Sequence, residues 1–493
     1  MDYNISPGPF ANTWDSITGQ YKCPEWFRDA KFGVWSHWGP QCVPMAGDWY
    51  ARNMYMEDSS AYKHHLANYG HPSVFGYKDV IELWKAENFD PDALMNLYKG
   101  MGARYFVSMG VHHDNFDLWN SRYQSWNAVN KGPKRDIVGE WARAARQQGL
   151  RFGVSEHLER SYSWFATNKG RDAKGNLRGV PYDGNDPAYR ELYLDNHLED
   201  SNPAYPLNPS PAFVENFYLR IKDLVERYNP DWLYTDGGVP FGETGLAMIA
   251  NFYNHNLAQR DGKLEAVYSC KDINHVFPDL YHGEYRKNVG ILDLERTISG
   301  TILDAPWQTD TCIGDWFYTK NCNYKTALTV LQQMMDVVSK NGTFLLSLPL
   351  RPDGTHDEEE LAIIGQITRW MAVYGEAVYG TRPYSHYGEG PSTNVTADTI
   401  QELDCTEEDF RFTKKGNTLY AVCMNAAPGK PLCIQSLNGL REQVEVVDCL
   451  GGGEVRWEWR DEALIVRVNP GEQSLPMTVL RLRCKKAFDD CGA

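Results

Sequence analysis

One carboxylate, Asp236, follows a short apolar run, Trp232-Leu233-Tyr234, and precedes Gly237-Gly238. The run reads as a buried strand, fed by a helix over 211–228 that Asn229-Pro230 stops. An ionised acid at the end of a buried strand is costly without partners, and the two glycines allow a sharp turn and a close ligand. Alone, such an Asp could simply cap the next helix. Other strand ends carry the same signature. His37 closes the candidate strand 31–39, and Asp48-Trp49 open the aromatic-rich excursion after it. His112-His113 follow 103–109, Glu156-His157 follow 150–155, and Glu295-Arg296 follow 291–294. Asp310 sits in the run 307–313.

Histidine, carboxylate and tryptophan in this density fit three chemistries. A carboxylate pair can hydrolyse a glycoside, one acid attacking or activating water while the other protonates the leaving oxygen. His and Asp at barrel strand ends can hold a divalent ion for metal-assisted hydrolysis. Against a metal stand the missing His-x-His after the first strand and the missing H-E-x-x-H helix. His112 and His113, being adjacent, would also point to opposite faces of a strand unless it has already turned. The third possibility is a non-catalytic carbohydrate-binding protein with the aromatics as its surface. No G-x-S-x-G elbow and no phosphate-binding loop is present.

The elements that must position these groups are eight strand candidates alternating with helices. The helical segments include 92–102, 138–149, 244–259, 324–340 and 357–374, and the remaining strands fall at 265–270 and 343–350. This alternation predicts an α/β fold, a (β/α)8-type barrel over residues 1–382, whose strand carboxyl ends would carry the chemistry. From residue 383 the helical period disappears. Alternating runs at 410–413, 418–423, 444–447, 455–459, 464–468 and 477–482, separated by Gly- and Asn-rich turns, predict an antiparallel β-sandwich over 383–493.

The formal net charge of −16 argues against nucleic acid and anionic membranes as partners. No apolar run approaches the ~18 residues that a membrane span needs. The 11 cysteines are scattered without C-x-x-C, so neither a structural zinc site nor a disulfide framework is indicated. With no apolar leader at the start of this sequence, a cytoplasmic location is the expectation.

The segments KFGVWSHWGP, GDWYARNMY, VHHDNFDLW, LRFGVSEH, DWLYTDGG and NGTFLLSLPLRPDG…YGEAVYGTRP resemble family 29 of the glycoside hydrolases, the α-L-fucosidases, over residues 20–385. The resemblance implies a catalytic barrel with a C-terminal β-sandwich and retaining hydrolysis of terminal α-linked fucose from oligosaccharides or glycoconjugates. It implies no metal and no cofactor. Asp236 matches the family's nucleophile and His37 the histidine that binds a fucose hydroxyl. Asp48 and Trp49 fall where the family has Glu-Trp. His112 and His113 match its histidine pair, and Tyr234 stands where many members have Trp. Two departures are Asn115, in place of a usual glycine, and Glu156-His157. The acid/base is assigned to Glu295, with Glu284 as the alternative. The excursions 53–76 and 167–187 are expected to set linkage preference, which the sequence leaves open together with the oligomeric state.

Overall fold

The computed structural model describes residues 1–195, 200, 202, 205–273, 283–395, 399–400, 402–427, 429–469 and 477–488. Eight parallel strands close into a barrel: β1 (Phe32–Ser36), β2 (Tyr105–Val111), β3 (Arg151–Glu156), β4 (Trp232–Thr235), β5 (Val267–Lys271), β6 (Ile291–Asp293), β7 (Trp307–Cys312) and β8 (Gly342–Ser347). β8 returns to β1 with Phe344 beside Phe32. Both faces of these strands are covered, which is why they read as near-continuous apolar runs. The two faces still divide by alternation. Trp35, Tyr105, Val107, Trp232, Tyr234 and Leu345 fill the barrel interior, whereas Val34, Phe106, Phe152 and Leu233 pack outward among the helices. Gly33 makes room for this filling, since a Cβ there would lie 2.2 Å from the ring of its neighbour Tyr105.

The helices sit close to their sequence-predicted positions. Pro211–Tyr228 is capped by the Ser210 side chain and ends at Asn229 in the left-handed region, φ 46°. Among the described residues no helix is long and apolar enough to cross a membrane.

Beyond the barrel lie two antiparallel sheets. One has the order β9 (Arg382–Glu389), β10 (Phe410–Lys415), β11 (Thr418–Cys423), β16 (Thr478–Cys484), β13 (Val444–Cys449). The other has the order β12 (Leu432–Ile434), β15 (Ala463–Asn469), β14 (Glu454–Arg460). They share one apolar layer, in which Phe410, Phe412 and Leu480 of the first meet Ile434, Leu464 and Val466 of the second, so they form a sandwich. The sequence reading began the strands at 410 and missed β9 and β12. β9 carries Pro383, Gly388 and a register shift, and β12 is three residues long, so neither shows the two-residue alternation.

Several contacts among the described residues join the sandwich to the barrel, and two of them bear on the site's surroundings. Asp336, on the helix Ala327–Ser339 between β7 and β8, is fully buried and accepts from Arg411 Nε of β10 at 2.6 Å and from Lys340 Nζ at 2.7 Å. Near the mouth, Thr399 and Ile400 pair antiparallel with Ser299 and Ile298, in the connection that leaves β6.

Candidate active site

The strand ends converge on a cavity of about 260 Å³. Asp236 and Glu295 line it, as do His37, Asp48, Trp49, His112, His113 and Tyr234. Each position follows from the barrel. Asp236 is the first residue past β4, and Lys271 N donates to Gly237 O at 2.8 Å, fixing the turn against β5. Glu295 is held between two backbone bonds that prolong the sheet, Leu294 N to Gln308 O at 2.9 Å and Arg296 N to Asp310 O at 2.8 Å. β2 ends at Val111, so the chain has turned before the histidine pair, and His112 and His113 both face the cavity. The opposite-face expectation for them does not hold.

Asp236 is surrounded by cations and ring nitrogens. Arg160 Nη2 lies 3.2 Å from Oδ2, Lys271 Nζ 2.5 Å from Oδ1, and His113 Nε2 3.4 Å from Oδ2. Tyr234 Oη lies 3.2 Å from Asp236 Oδ1 and equally from Asp310 Oδ2, and can donate to one at a time. Burial alone would push the Asp236 carboxyl up, but Arg160 and Lys271, with His113 and His157, outweigh it and hold it well below the usual carboxylate range. Asp236 is therefore ionised. Lys271 Nζ also donates to Glu295 Oε2 at 2.6 Å, so one ammonium bridges the two acids. Burial works against that charge, but Asp236 and Glu295 prevail and raise its pKa.

Lys271 and Arg160 are the cations beside Asp236 that the sequence reading missed. Lys271 was legible: it follows the run 265–270 as a charged group at a strand exit, the signature used for Asp236. Arg160 was not, because it sits in the helix Leu158–Trp164 and reaches the cavity only through the tight turn after β3. Glu284, the alternative acid, does not line the cavity. Its side chain is 42% exposed and pairs with Arg286 at 2.7 Å.

The neutral groups complete the cavity. Burial, aided by the neighbouring His157, keeps His37 well below the usual imidazole range, and burial brings His113 down to about 4. His112 and His157 are also lowered, by burial first. Neutral imidazoles can both give and accept hydrogen bonds. Gln41 Nε2 donates to His112 Nδ1 at 2.8 Å, leaving Nε2–H of that ring free to donate. His113 Nδ1 donates to His157 O at 2.8 Å. Burial, then Asp315, pushes the Asp48 carboxyl up to about 8, so it is protonated at neutral pH. Trp49 holds a left-handed backbone, φ 60°, which a large side chain adopts only where its surroundings impose it.

Several polar atoms here have no hydrogen-bond partner although they are buried, among them Trp35 Nε1, Asp310 Oδ1 and His157 Nε2, while His157 Nδ1 lies 3.6 Å from Asp236 Oδ2. Each such group costs about 1–3 kcal/mol until a ligand satisfies it. A cavity this small, with orphaned donors and acceptors beside the faces of Trp49 and Trp316, fits one hydroxyl-rich ring. Trp316 forms part of the wall, its ring centred 4.6 Å from the His37 ring. His112, His113 and His157 each place a ring nitrogen within 4.8 Å of the others, a spacing that could hold a metal ion. A dication there would face the fixed charges of Arg160 and Lys271, which already neutralise Asp236.

The structure also places two other sequence features. Asn115, where the family pattern has glycine, lies at φ 60°, a conformation that Asn tolerates, and its Oδ1 accepts from Arg220 Nη1 at 2.6 Å. The excursions 53–76 and 167–187 pack on each other, with Tyr55 Oη donating to Asp183 at 2.7 Å and His71 Nε2 lying 3.0 Å from Asp172. Neither supplies a lining residue of this cavity or of the larger one beside it.

A profile of the α-L-fucosidase family matches residues 2–376, the whole barrel. The chain belongs to the α-L-fucosidase family. Human plasma α-L-fucosidase is 28% identical over 409 residues, covering 79% of this chain and 75% of that protein. Rat tissue α-L-fucosidase is 25% identical over 419 residues, covering 79% and 77%. Among solved structures, an α-fucosidase of Thermotoga maritima in complex with fucose shares the fold, with a TM-score of 0.72 at 24% identity over 96% of this chain and 100% of that one. The protein is accordingly a glycoside hydrolase, and its substrates are α-L-fucosides.

The charge arrangement carries a pH prediction for this fucosidase. As a nucleophile Asp236 would have to be ionised, and its depressed pKa would then put the acid-side loss of activity at low pH. Lys271→Met removes one of the cations responsible, so the Asp236 pKa rises towards its ordinary value. The acid limb of log kcat/KM against pH, which reports the free enzyme, should then move to higher pH. An unmoved limb would separate Asp236 electrostatically from Lys271.

Proposed function

We propose that this fucosidase hydrolyses terminal α-linked L-fucose of oligosaccharides or glycoconjugates with retention, Asp236 acting as nucleophile and Glu295 as acid/base. One observation carries the reading. Lys271 Nζ contacts both acids, so Asp236 Oδ1 and Glu295 Oε2 are no more than about 5 Å apart, the ~5–5.5 Å of a retaining pair rather than the ~6.5–9.5 Å of an inverting one.

The steps follow from the charges. Ionised Asp236 attacks the anomeric carbon while protonated Glu295 gives its proton to the departing oxygen. The C–O bond to the leaving sugar breaks as the ester bond to Asp236 forms. Asp236 then carries no charge, and the ammonium of Lys271 is left to Glu295. Glu295, a carboxylate once it has given up its proton, then takes a proton from water as that water's oxygen attacks the anomeric carbon, and the ester bond breaks to release fucose and restore the Asp236 carboxylate. Neutral His37, His112 and His113 and protonated Asp48 would grip the fucose hydroxyls, where hydrogen bonds can strengthen as the ring becomes oxocarbenium-like.

The test is the anomer first released. Proton NMR during the opening minutes of hydrolysis of an α-L-fucoside should show α-L-fucose ahead of mutarotation. β-L-fucose appearing first would mean inversion and would exclude Asp236 as a covalent nucleophile.

A further inference from the structure

Tyr234 Oη stands between two acids with one proton to give. Asp236 Oδ1 and Asp310 Oδ2 are each 3.2 Å from it. Neighbouring rings hold the phenol in that place: Trp232 stacks on it at 5.5 Å, and Trp35 packs edge-on at 5.0 Å. If both acids were carboxylates, one of them would face the phenol oxygen with no hydrogen between, which is repulsive at that distance. A second proton is therefore needed along this line of three groups.

The surroundings of the two acids differ. Asp236 has Arg160 and Lys271 within 3.2 Å. Asp310, on β7, is 1% exposed, and no Lys, Arg or His among the described residues forms an ion pair with it. Lys271 of β5 favours its carboxylate form, but that ammonium is bonded to Asp236 and Glu295. Asp293 of β6, Glu295 and Asp236 all oppose it as like charges, and the remaining titratable neighbours are the phenols of Tyr234 and Tyr105.

Asp293 is itself 2% exposed. Two buried acids side by side, with no cation of their own, cannot both stay ionised. Their partners decide which holds the proton. Tyr105 Oη donates to Gln308 Oε1 at 3.1 Å, which fixes the amide, and Gln308 Nε2 donates to Asp293 Oδ1 at 2.9 Å. Asp293 thus already has the donor that a carboxylate wants, whereas Asp310 Oδ2 faces only a phenol oxygen that has Asp236 as a second acceptor. Burial first, and then Asp293, hold the Asp310 carboxyl well above the usual carboxylate range, in the same sense.

We propose that Tyr234 is a further catalytic residue, its hydroxyl committed to Asp236 Oδ1, and that Asp310 is the positioning residue that commits it, by keeping a proton on Oδ2 and donating it to Tyr234 Oη. No proton is transferred; the line from Asp310 through Tyr234 to Asp236 fixes the direction of two hydrogen bonds. The bond from Tyr234 stabilises the ionised nucleophile before attack and the same carboxylate when the ester breaks. The proposal rests on Asp236 as the nucleophile.

The experiment follows the acid limb of log kcat/KM against pH on an aryl α-L-fucoside, which reports the free enzyme. Tyr234→Phe removes the donor, and the limb should move to higher pH by about one to two units, the worth of a hydrogen bond to a charged group. Asp310→Asn keeps a neutral donor of the same shape, and the limb should stay in place. An ionised Asp310 predicts the opposite, because the amide would then remove a like charge and free Tyr234 for Asp236, moving the limb to lower pH. Infrared difference spectra at neutral pH test the proton directly: the band of a protonated carboxyl should weaken from wild type to Asp310→Asn. A limb unmoved in Tyr234→Phe, a limb displaced in Asp310→Asn, or an unchanged carboxyl band would overturn the assignment and leave the fucosidase reading in place. β-L-fucose as the first anomer released by the wild type would instead remove Asp236 as the nucleophile, and the proposal with it.

Discussion

Asp236→Ala is expected to lower kcat on an aryl α-L-fucoside by on the order of 10⁴-fold or more, the scale on which removal of a covalent nucleophile is felt. Azide should then restore turnover. The small anion enters the space vacated by the carboxylate, where Arg160 and Lys271 still offer positive charge, at 3.2 and 2.5 Å from the lost oxygens. A single displacement from that side converts the α-fucoside to β-fucosyl azide. The substitution leaves two buried cations with fewer partners, which is destabilising in principle. Lys271 keeps Glu295 at 2.6 Å, and Arg160 keeps the backbone carbonyl of residue 236 as an acceptor. The variant should therefore fold, and a melting curve would verify this before kinetics. Near-normal activity in Asp236→Ala would remove the residue around which the site is arranged, and the histidine trio with a metal ion would become the next reading to examine.

The second large effect is leaving-group dependent. Glu295→Ala should lose about 10²–10⁴-fold on a fucosylated oligosaccharide, whose alkoxide cannot depart without a proton. An aryl fucoside with an acidic phenol needs no such help in the first step. There the variant should show a burst, as the fucosyl-enzyme forms quickly and waits for a water that no base activates. Azide needs no base, so it should relieve the block and give α-fucosyl azide, the product of two displacements. Glu284→Ala, whose side chain is turned to Arg286 at the surface, should retain nearly the wild-type pattern on both substrates. If Glu284→Ala gives the burst and the α-azide while Glu295→Ala does not, the acid/base passes to Glu284.

The amino-acid sequence by itself determined the barrel, the sandwich and the nucleophile candidate. Strands covered on both faces must be apolar along their length, so an acid or imidazole at their ends stands out. That contrast marked Asp236, His37 and the His112-His113 pair, and it also marked Lys271, which the reading passed over. Helix caps and stops such as Ser210 and Asn229 act over a few residues and are equally legible. Short or irregular edge strands such as β9 and β12 are not, because their pairing comes from partners remote in the chain. Only the tertiary structure separates Glu295, which lines the cavity, from Glu284, which does not. Both lie in connections beyond β5, and Glu295 is set into the cavity by backbone bonds to β7 and by pairing beyond it with Thr399 and Ile400. It also decided the charge states, protonated Asp48 beside ionised Asp236, because burial and neighbouring cations act through space rather than along the sequence. Finally, it showed the long excursions 53–76 and 167–187 satisfying each other's tyrosines, histidine and acids, a pairing between segments more than a hundred residues apart that no local pattern reveals.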